Sequence, residues 1–291
     1  MKPGEAMKKS NNVFEALLRM STRSLTTAIA TFCVAWAIQG KAQNYPLSNG
    51  DASLVVNEGG GGLSDWTEND VIQMDLQSYY YSVGSGPLES IGALSSWTTA
   101  SETGSSISGS YSNSSVFVTA NYQLNNSSSG PELTSLLGIK NLTATNEIIH
   151  LYQFSDFALG GNSAGQTIQF VGTGLPYEVL QTGSNGQQMT GTLTALGPLG
   201  LASVEEIAGF NDGMQFGLAN GAPVSFPAPD NLSATGDVDF AYEVDATVGS
   251  DSALSVSELQ SVPEPSVVAL VTAGMLGIGL LRRHILVFLK K

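Results

Sequence analysis

Ser115-Val-Phe-Val-Thr-Ala-Asn-Tyr-Gln-Leu124 alternates without a break. Val116, Val118, Ala120 and Tyr122 share one side of an extended chain, and Phe117, Thr119, Asn121 and Gln123 share the other. Side chains of a strand alternate between its two faces, so this period of two predicts a strand with one face in a core. Outward from it, Val71 to Val83, Glu147 to Phe157, Thr167 to Val171, Tyr177 to Gln181, Met189 to Leu196 and Asp237 to Val248 are similar apolar packets. They are bounded by Gly, Asn and Ser clusters, whose backbones enter turns cheaply. In Glu147 to Phe157 both faces carry bulk, which predicts a central strand. Ser101 to Ser115 and Asn125 to Gly130 are polar enough to read as exposed loops or edges, and Gly59 to Gly62 as a flexible loop. Many short strands and no long helical period predict an all-β fold, an antiparallel jelly-roll-like β-sandwich over residues 43–260. Two smaller β modules divided near Gly130 are the alternative. No internal repeat marks a propeller or β-helix.

Charge and cysteine narrow the class. Between Gln43 and Val262 stand Lys140 and 22 Asp and Glu residues, a formal charge of 1 − 22 = −21. Nucleic acid and anionic membrane surfaces are thereby excluded as partners, since both need Lys/Arg footprints. The one cysteine, Cys33, precedes Gln43, so stability must come from a core without disulfides.

Both ends read as addresses. Lys2, Lys8, Lys9, Arg19 and Arg23 precede a low-charge run from Ser24 to Ile38 and then Gly40-Lys41-Ala42. This order predicts a signal peptide over 1–42, a signal helix engaging the Sec translocon, with cleavage before Gln43. At the other end, over 261–291, Val262-Pro263-Glu264-Pro265 is followed by an uncharged apolar run to Leu281 and by Arg282-Arg283. The prolines keep a helix from starting upstream of them. Residues 266–281 then predict one short transmembrane helix, its arginines at the interface, because placing both at the bilayer centre would cost about 5–7 kcal/mol. Pro-Glu-Pro, one span and a basic cluster in this order resemble the PEP-CTERM sorting signal of Gram-negative bacteria. The resemblance implies processing by an exosortase, an inner-membrane intermediate, and delivery to the cell surface or medium. The implied role is structural or adhesive, in extracellular matrix, biofilm or exopolysaccharide. Asn141-Leu-Thr, His150 to Phe157 and Gly236 to Asp245 resemble an ectodomain found before such tails; that resemblance implies a surface β-sandwich and nothing catalytic.

The residues between the two signals hold little that points to chemistry. His150 is their only histidine, and no Gly-x-Ser-x-Gly elbow occurs. No enzyme, no catalytic residue and no cofactor are therefore expected. Asp237, Asp239 and Asp245, with Glu243, read either as the solvated face of an edge strand or as oxygen ligands for calcium. A carbohydrate-binding module or glycan-active enzyme is the alternative function. Trp66, Tyr79, Tyr80, Tyr81 and Trp97 would then stack on sugar rings. Glu205-Glu206, the one adjacent glutamate pair, cannot flank a bond, because neighbours on a strand face opposite ways.

Overall fold

The computed structural model describes residues 43–127, 130–171, 176–197, 200–201, 203–210, 218 and 233–262. The leader, Pro263 to Pro265, the apolar run 266–281 and Arg282/Arg283 lie outside them. Among the described residues no helix is long and apolar enough to cross a membrane.

Two antiparallel sheets make a β-sandwich, with strands numbered here in chain order. The first holds β1 (Asn44–Asn49), β2 (Ala52–Asn57), β3 (Gly62–Glu68), β4 (Val71–Val83), β5 (Glu89–Ser90), β10 (Glu147–Asp156), β15 (Ser203–Phe210) and β17 (Val238–Val248). Its order is β1-β2-β3-β4-β10-β17-β15, with β5 beside β4. The second holds β6 (Thr98–Glu102), β7 (Ser106–Ser112), β8 (Val116–Ser127), β9 (Gly130–Asn141), β11 (Gln166–Val171), β12 (Tyr177–Thr182), β13 (Gln188–Gly197), β14 (Gly200–Leu201), β16 (Ser233–Gly236) and β18 (Ala253–Ser261). Its order is β16-β11-β12-β13-β18-β9-β8-β7-β6, with β14 on β13.

A jelly roll divides eight strands between its sheets; these sheets hold eight and ten. β1 to β4 and β6 to β9 run as meanders, so the jelly-roll connectivity expected from the strand pattern is corrected. The reason lies in the turns. Asn69 and Asp70 both take positive φ, 52° and 62°, in the two-residue link between β3 and β4. That backbone matches strand twist and returns the chain beside the strand it left. Of the two readings of Ser101 to Ser115, loop or edge, the structure shows the edge: β6 is the last strand of the second sheet and pairs with β7 there. Its polar residues alternate with the buried Ile107 and Tyr111. Of the glycine run, residues 59–61 form a turn while Gly62 opens β3; a Cβ there would lie 1.9 Å from the Gln77 carbonyl oxygen.

One core cluster spans the space between the sheets and draws residues from both sides of Gly130. Trp66 meets the ring of Phe157 edge-on at 6.3 Å, Phe157 stacks on Phe240 at 5.9 Å, and Phe170 meets Tyr242 at 5.9 Å. Asn141, fully buried, closes the turn after β9. Its Nδ2 donates to the carbonyls of Thr145 (2.8 Å) and Val248 (2.9 Å), while its Oδ1 accepts from the Thr143 N–H. Trp97, directly before β6, lies over Gly109 of β7, its ring 5.0 Å from Tyr111 and its Nε1 donating to Thr99 Oγ1.

A carboxyl group also lies in this core. Glu258 of β18 is 2% exposed, and its Oε2 accepts from Nε2 of Gln77 (2.9 Å) and of Gln153 (2.5 Å), both on the opposite sheet. Burial pushes this carboxyl up to about 7, against the pull of the amide donors.

Candidate functional site on the outer face of the first sheet

Alternation on the central strands assigns the two faces. On β10, Ile149 and Leu151 join the main core, as does Phe157 just beyond it, so His150, Tyr152, Phe154 and Asp156 face outward. On β17, Phe240, Tyr242, Val244 and Ala246 point inward, which turns Asp239, Ala241, Glu243 and Asp245 to the same outer face. The register lines these up in rows with β4: Ser82, His150 and Asp245; Tyr80, Tyr152 and Glu243; Ser78, Phe154 and Ala241; Leu76, Asp156 and Asp239. β17 continues to β15, which puts Glu205 at the register position opposite Glu243 and Ser203 opposite Asp245.

The face has an apolar half and a polar half. Tyr80, Tyr152, Phe154 and Ala241 form a second buried cluster with Leu218, packed by Leu76 and Leu88. Beyond it lies a hydrogen-bonded polar group. His150 Nδ1 is 2.5 Å from Asp245 Oδ1 and 3.5 Å from Glu243 Oε1. The Tyr152 hydroxyl donates to Glu243 Oε1 at 2.6 Å. Glu243 is buried, whereas the side chains of His150 and Asp245 keep 25% and 28% of their surface. With Nδ1–H directed at Asp245, the imidazole presents Nε2 as its working nitrogen, and the carboxylate fixes both tautomer and ring plane. One nitrogen and two carboxylate oxygens within 4.8 Å are also a ligand set for a divalent ion that accepts nitrogen. Such an ion would have to replace the Nδ1 proton.

Asp237, Asp239 and Asp245 do not form one calcium site. Asp239 and Asp245 are six residues apart on one strand, about 20 Å at about 3.4 Å per residue. Asp237 sits where the chain passes from β16 to β17. There its charge, after burial and Asp65, helps push the Asp75 carboxyl up. The edge-strand reading is corrected too: β17 lies between β10 and β15, and Asp239 and Glu243 are buried. Trp66, Tyr79, Tyr81 and Trp97 belong to the main core, which removes them as sugar platforms; Tyr80 alone of that set lies on the outer face. Glu205 and Glu206 occupy successive positions of β15, at the register positions of Glu243 and Tyr242. His150 was legible as a lone histidine in a strand. Its partners, 93 and 95 residues further on (243 − 150 and 245 − 150), were not.

No protein-family model matches the chain, and no curated protein does. Solved structures do. A bacterial glucoamylase complexed with acarbose superposes with a TM-score of 0.52 at 10% identity, over 82% of this chain and 36% of that one. The chain therefore spans little more than a third of the glucoamylase's length. The Slr1438 protein of Synechocystis sp. PCC 6803 gives a TM-score of 0.51 at 10% identity, covering 77% of this chain and 96% of its own. A galactose mutarotase related enzyme from Lactobacillus acidophilus gives 0.47 at 8%, over 77% and 99%. At such identities the likeness is one of fold. Because the glucoamylase, an enzyme, is built on this fold, the expectation of no enzyme is corrected: the architecture does not exclude one.

Proposed function

We propose that this is a carbohydrate-active protein of the cell surface, delivered there by its PEP-CTERM-like tail. In this reading it acts on a saccharide at the outer face of the first sheet. The observation that carries it is the adjacency of two rows, Ser82-His150-Asp245 and Tyr80-Tyr152-Glu243, in a fold shared with sugar-processing enzymes. Buried Tyr80 and Tyr152 back this polar group with apolar surface, which leaves the part-exposed His150 and Asp245 as the groups a sugar hydroxyl can reach.

The chemistry such a group supports is proton transfer. His150 Nε2 is the general base or acid toward a sugar hydroxyl, and Asp245 steadies the imidazolium that forms. Glu243, accepting from the Tyr152 hydroxyl, adds a positioned carboxyl group. Hydrolysis through two carboxylates fits less well. Carboxylates flanking a glycosidic bond stand about 5–9.5 Å apart on opposite sides of it. Glu243 and Asp245 instead converge on the same imidazole nitrogen. Interconversion of anomers at a hemiacetal carbon is the reaction type that needs one positioned base and acid and no second carboxylate across the ring.

Polarimetry of freshly dissolved aldoses and reducing-end release from oligosaccharides test this together. The wild type is expected to accelerate optical relaxation over buffer, and His150→Ala to lose that acceleration while keeping the wild-type circular dichroism spectrum. Equal rates for wild type, variant and buffer on every sugar tried would refute it.

A further inference from the structure

A cleft of about 340 Å³ opens at the end of the sandwich where β4 passes to β5 and β9 to β10. That volume lies in the usual range of small-molecule sites, about 300–1,000 Å³, and its residues take no part in the outer-face group. Tyr81, Val83, Pro87, Glu89, Asn113 and Glu147 form its walls. Its donors are mostly spent internally. The Tyr81 hydroxyl donates to Glu89 Oε2 at 2.9 Å, and Asn113 Nδ2 donates to the Tyr81 hydroxyl at 3.0 Å. Asn113 is itself locked, its Oδ1 accepting from the N–H groups of Ser115 (2.8 Å) and Val116 (2.9 Å). Burial, and then the Glu89 carboxylate, push the Tyr81 phenol up, so it stays a donor to Glu89 rather than becoming an anion.

What remains for a ligand is acceptor capacity and negative charge. Glu147 receives one hydrogen bond, from Thr145 Oγ1 at 2.7 Å, and its other oxygen turns over Gly84, 3.4 Å from where a Cβ there would sit. No basic side chain lines the cleft, and Lys140, the one basic residue between Gln43 and Val262, is 3.0 Å from Asp251. Val83 and Pro87 give it an apolar wall. We infer that this cleft binds an amino sugar, taking the ring against Val83 and Pro87 and the ammonium group between Glu89 and Glu147. The choice of a sugar rests on the carbohydrate reading above; the choice of an ammonium group rests on the cleft alone. Three N–H donors on a cation match two carboxylates with spare lone pairs, whereas an anionic sugar meets only repulsion. The formal charge of −21 over the surrounding chain acts in the same direction, attracting a polymer that carries free amines.

Isothermal titration of the full purified chain with glucosamine, glucose, N-acetylglucosamine, cadaverine and calcium chloride decides it. Wild type, Glu89→Gln, Glu147→Gln and His150→Ala are compared, each first shown to keep its melting temperature. Glucosamine is expected to bind, with glucose and N-acetylglucosamine at least about tenfold weaker, the scale of one lost charge-assisted hydrogen bond. Glu147→Gln should erase that preference and His150→Ala should preserve it. Equal affinity for glucose and glucosamine, or glucosamine binding unchanged in both glutamine variants, overturns the proposal. So does cadaverine binding as tightly as glucosamine, which removes the sugar, or calcium giving the same heat, lost in the same variants. Loss of the aldose activity is read separately through His150→Ala, so failure of either proposal leaves the other's outcome visible.

Discussion

Replacing Glu258 by Gln should make the protein more stable at pH 8 and leave it nearly unchanged at pH 4. The carboxyl is sealed between the sheets with no cation beside it, and its folded value is raised from 4.5 to about 7. Below pH 4.5 both folded and unfolded chains carry the proton, and the group makes no difference to stability. As pH rises from 4.5 toward 7 the unfolded chain gives up its proton while the folded chain holds on, so unfolding becomes easier. Above 7 both have lost it, and the penalty is constant. At about 1.4 kcal/mol per pH unit, the interval between 4.5 and about 7 amounts to about 3 kcal/mol. For a domain of this size that is about 6–12 °C in melting temperature.

Gln suits the site for a specific reason. Its carbonyl oxygen can accept the two bonds that Gln77 and Gln153 now give to Oε2. Its NH2 would stand where Oε1 now has no hydrogen-bond partner in the described structure, and Gln77 Oε1 is likewise an acceptor without one there. Urea unfolding of wild type and Glu258→Gln across pH 4 to 8 isolates this group, because the other titrating residues cancel in the difference. The stability gap should open between pH 4.5 and 7 in favour of the variant and then level off. A gap that is the same at pH 4 and pH 8, in either direction, would mean that the wild-type carboxyl does not resist ionisation in the core, and the reasoning would fall.

Three further outcomes are expected. Asp245→Asn should keep the fold but cut the aldose activity about 100-fold or more, the usual worth of general acid–base catalysis, because an amide can hold the ring but not stabilise an imidazolium; the check is the rate at unchanged thermal stability. Trp66→Ala should cost about 3–5 kcal/mol in urea unfolding, the range for emptying a large aromatic site, while sugar binding per folded molecule stays at the wild-type value. Zinc ions should inhibit the aldose reaction, and a chelator should restore it, if an ion captures His150 Nδ1 from Asp245. Activity that instead rises with zinc would make the site a metal centre.

The strand pattern made much of the fold legible. Val71 to Val83 is β4 to the residue, and Glu147 to Phe157 and Asp237 to Val248 each differ from β10 and β17 by one. Alternation reports a strand because a half-buried strand must obey it. β6 and β7 escaped because Ser and Thr there satisfy the same geometry with little apolar signal, leaving Ile107 and Tyr111 to carry the inner face. Connectivity was invisible for another reason. Which strands become neighbours depends on turn handedness and on pairs such as His150 and Asp245, which the local sequence does not encode.

The acidic run of β17 was the most misleading stretch, and the cause is physical. Charged residues at every second position suit an exposed edge, and they equally suit a central strand whose outer face is a polar site. What separates the two is the opposite set of positions. Phe240, Tyr242 and Val244 are large and completely or almost completely buried, and on β10 the equally buried Ser155, Gln153 and Leu151 stand opposite them across the register. Two adjacent strands with full inner faces are fixed rigidly by the core. Side chains on their outer faces are then held at spacings set by the ladder, rather than by flexible loops. His150 and Asp245, directly opposite, and Glu243, one row along, inherit that rigidity. In this protein the core is therefore also what positions the site. A substitution at Tyr242 that loosened the inner packing should reach the imidazole before it reaches global unfolding, because Tyr242 lies between Ala241 and Glu243 on the same strand. Tyr242→Leu, compared with wild type, should lose aldose activity at temperatures where its circular dichroism is still native. Parallel loss of both signals would mean that the face is positioned by something other than the core beneath it.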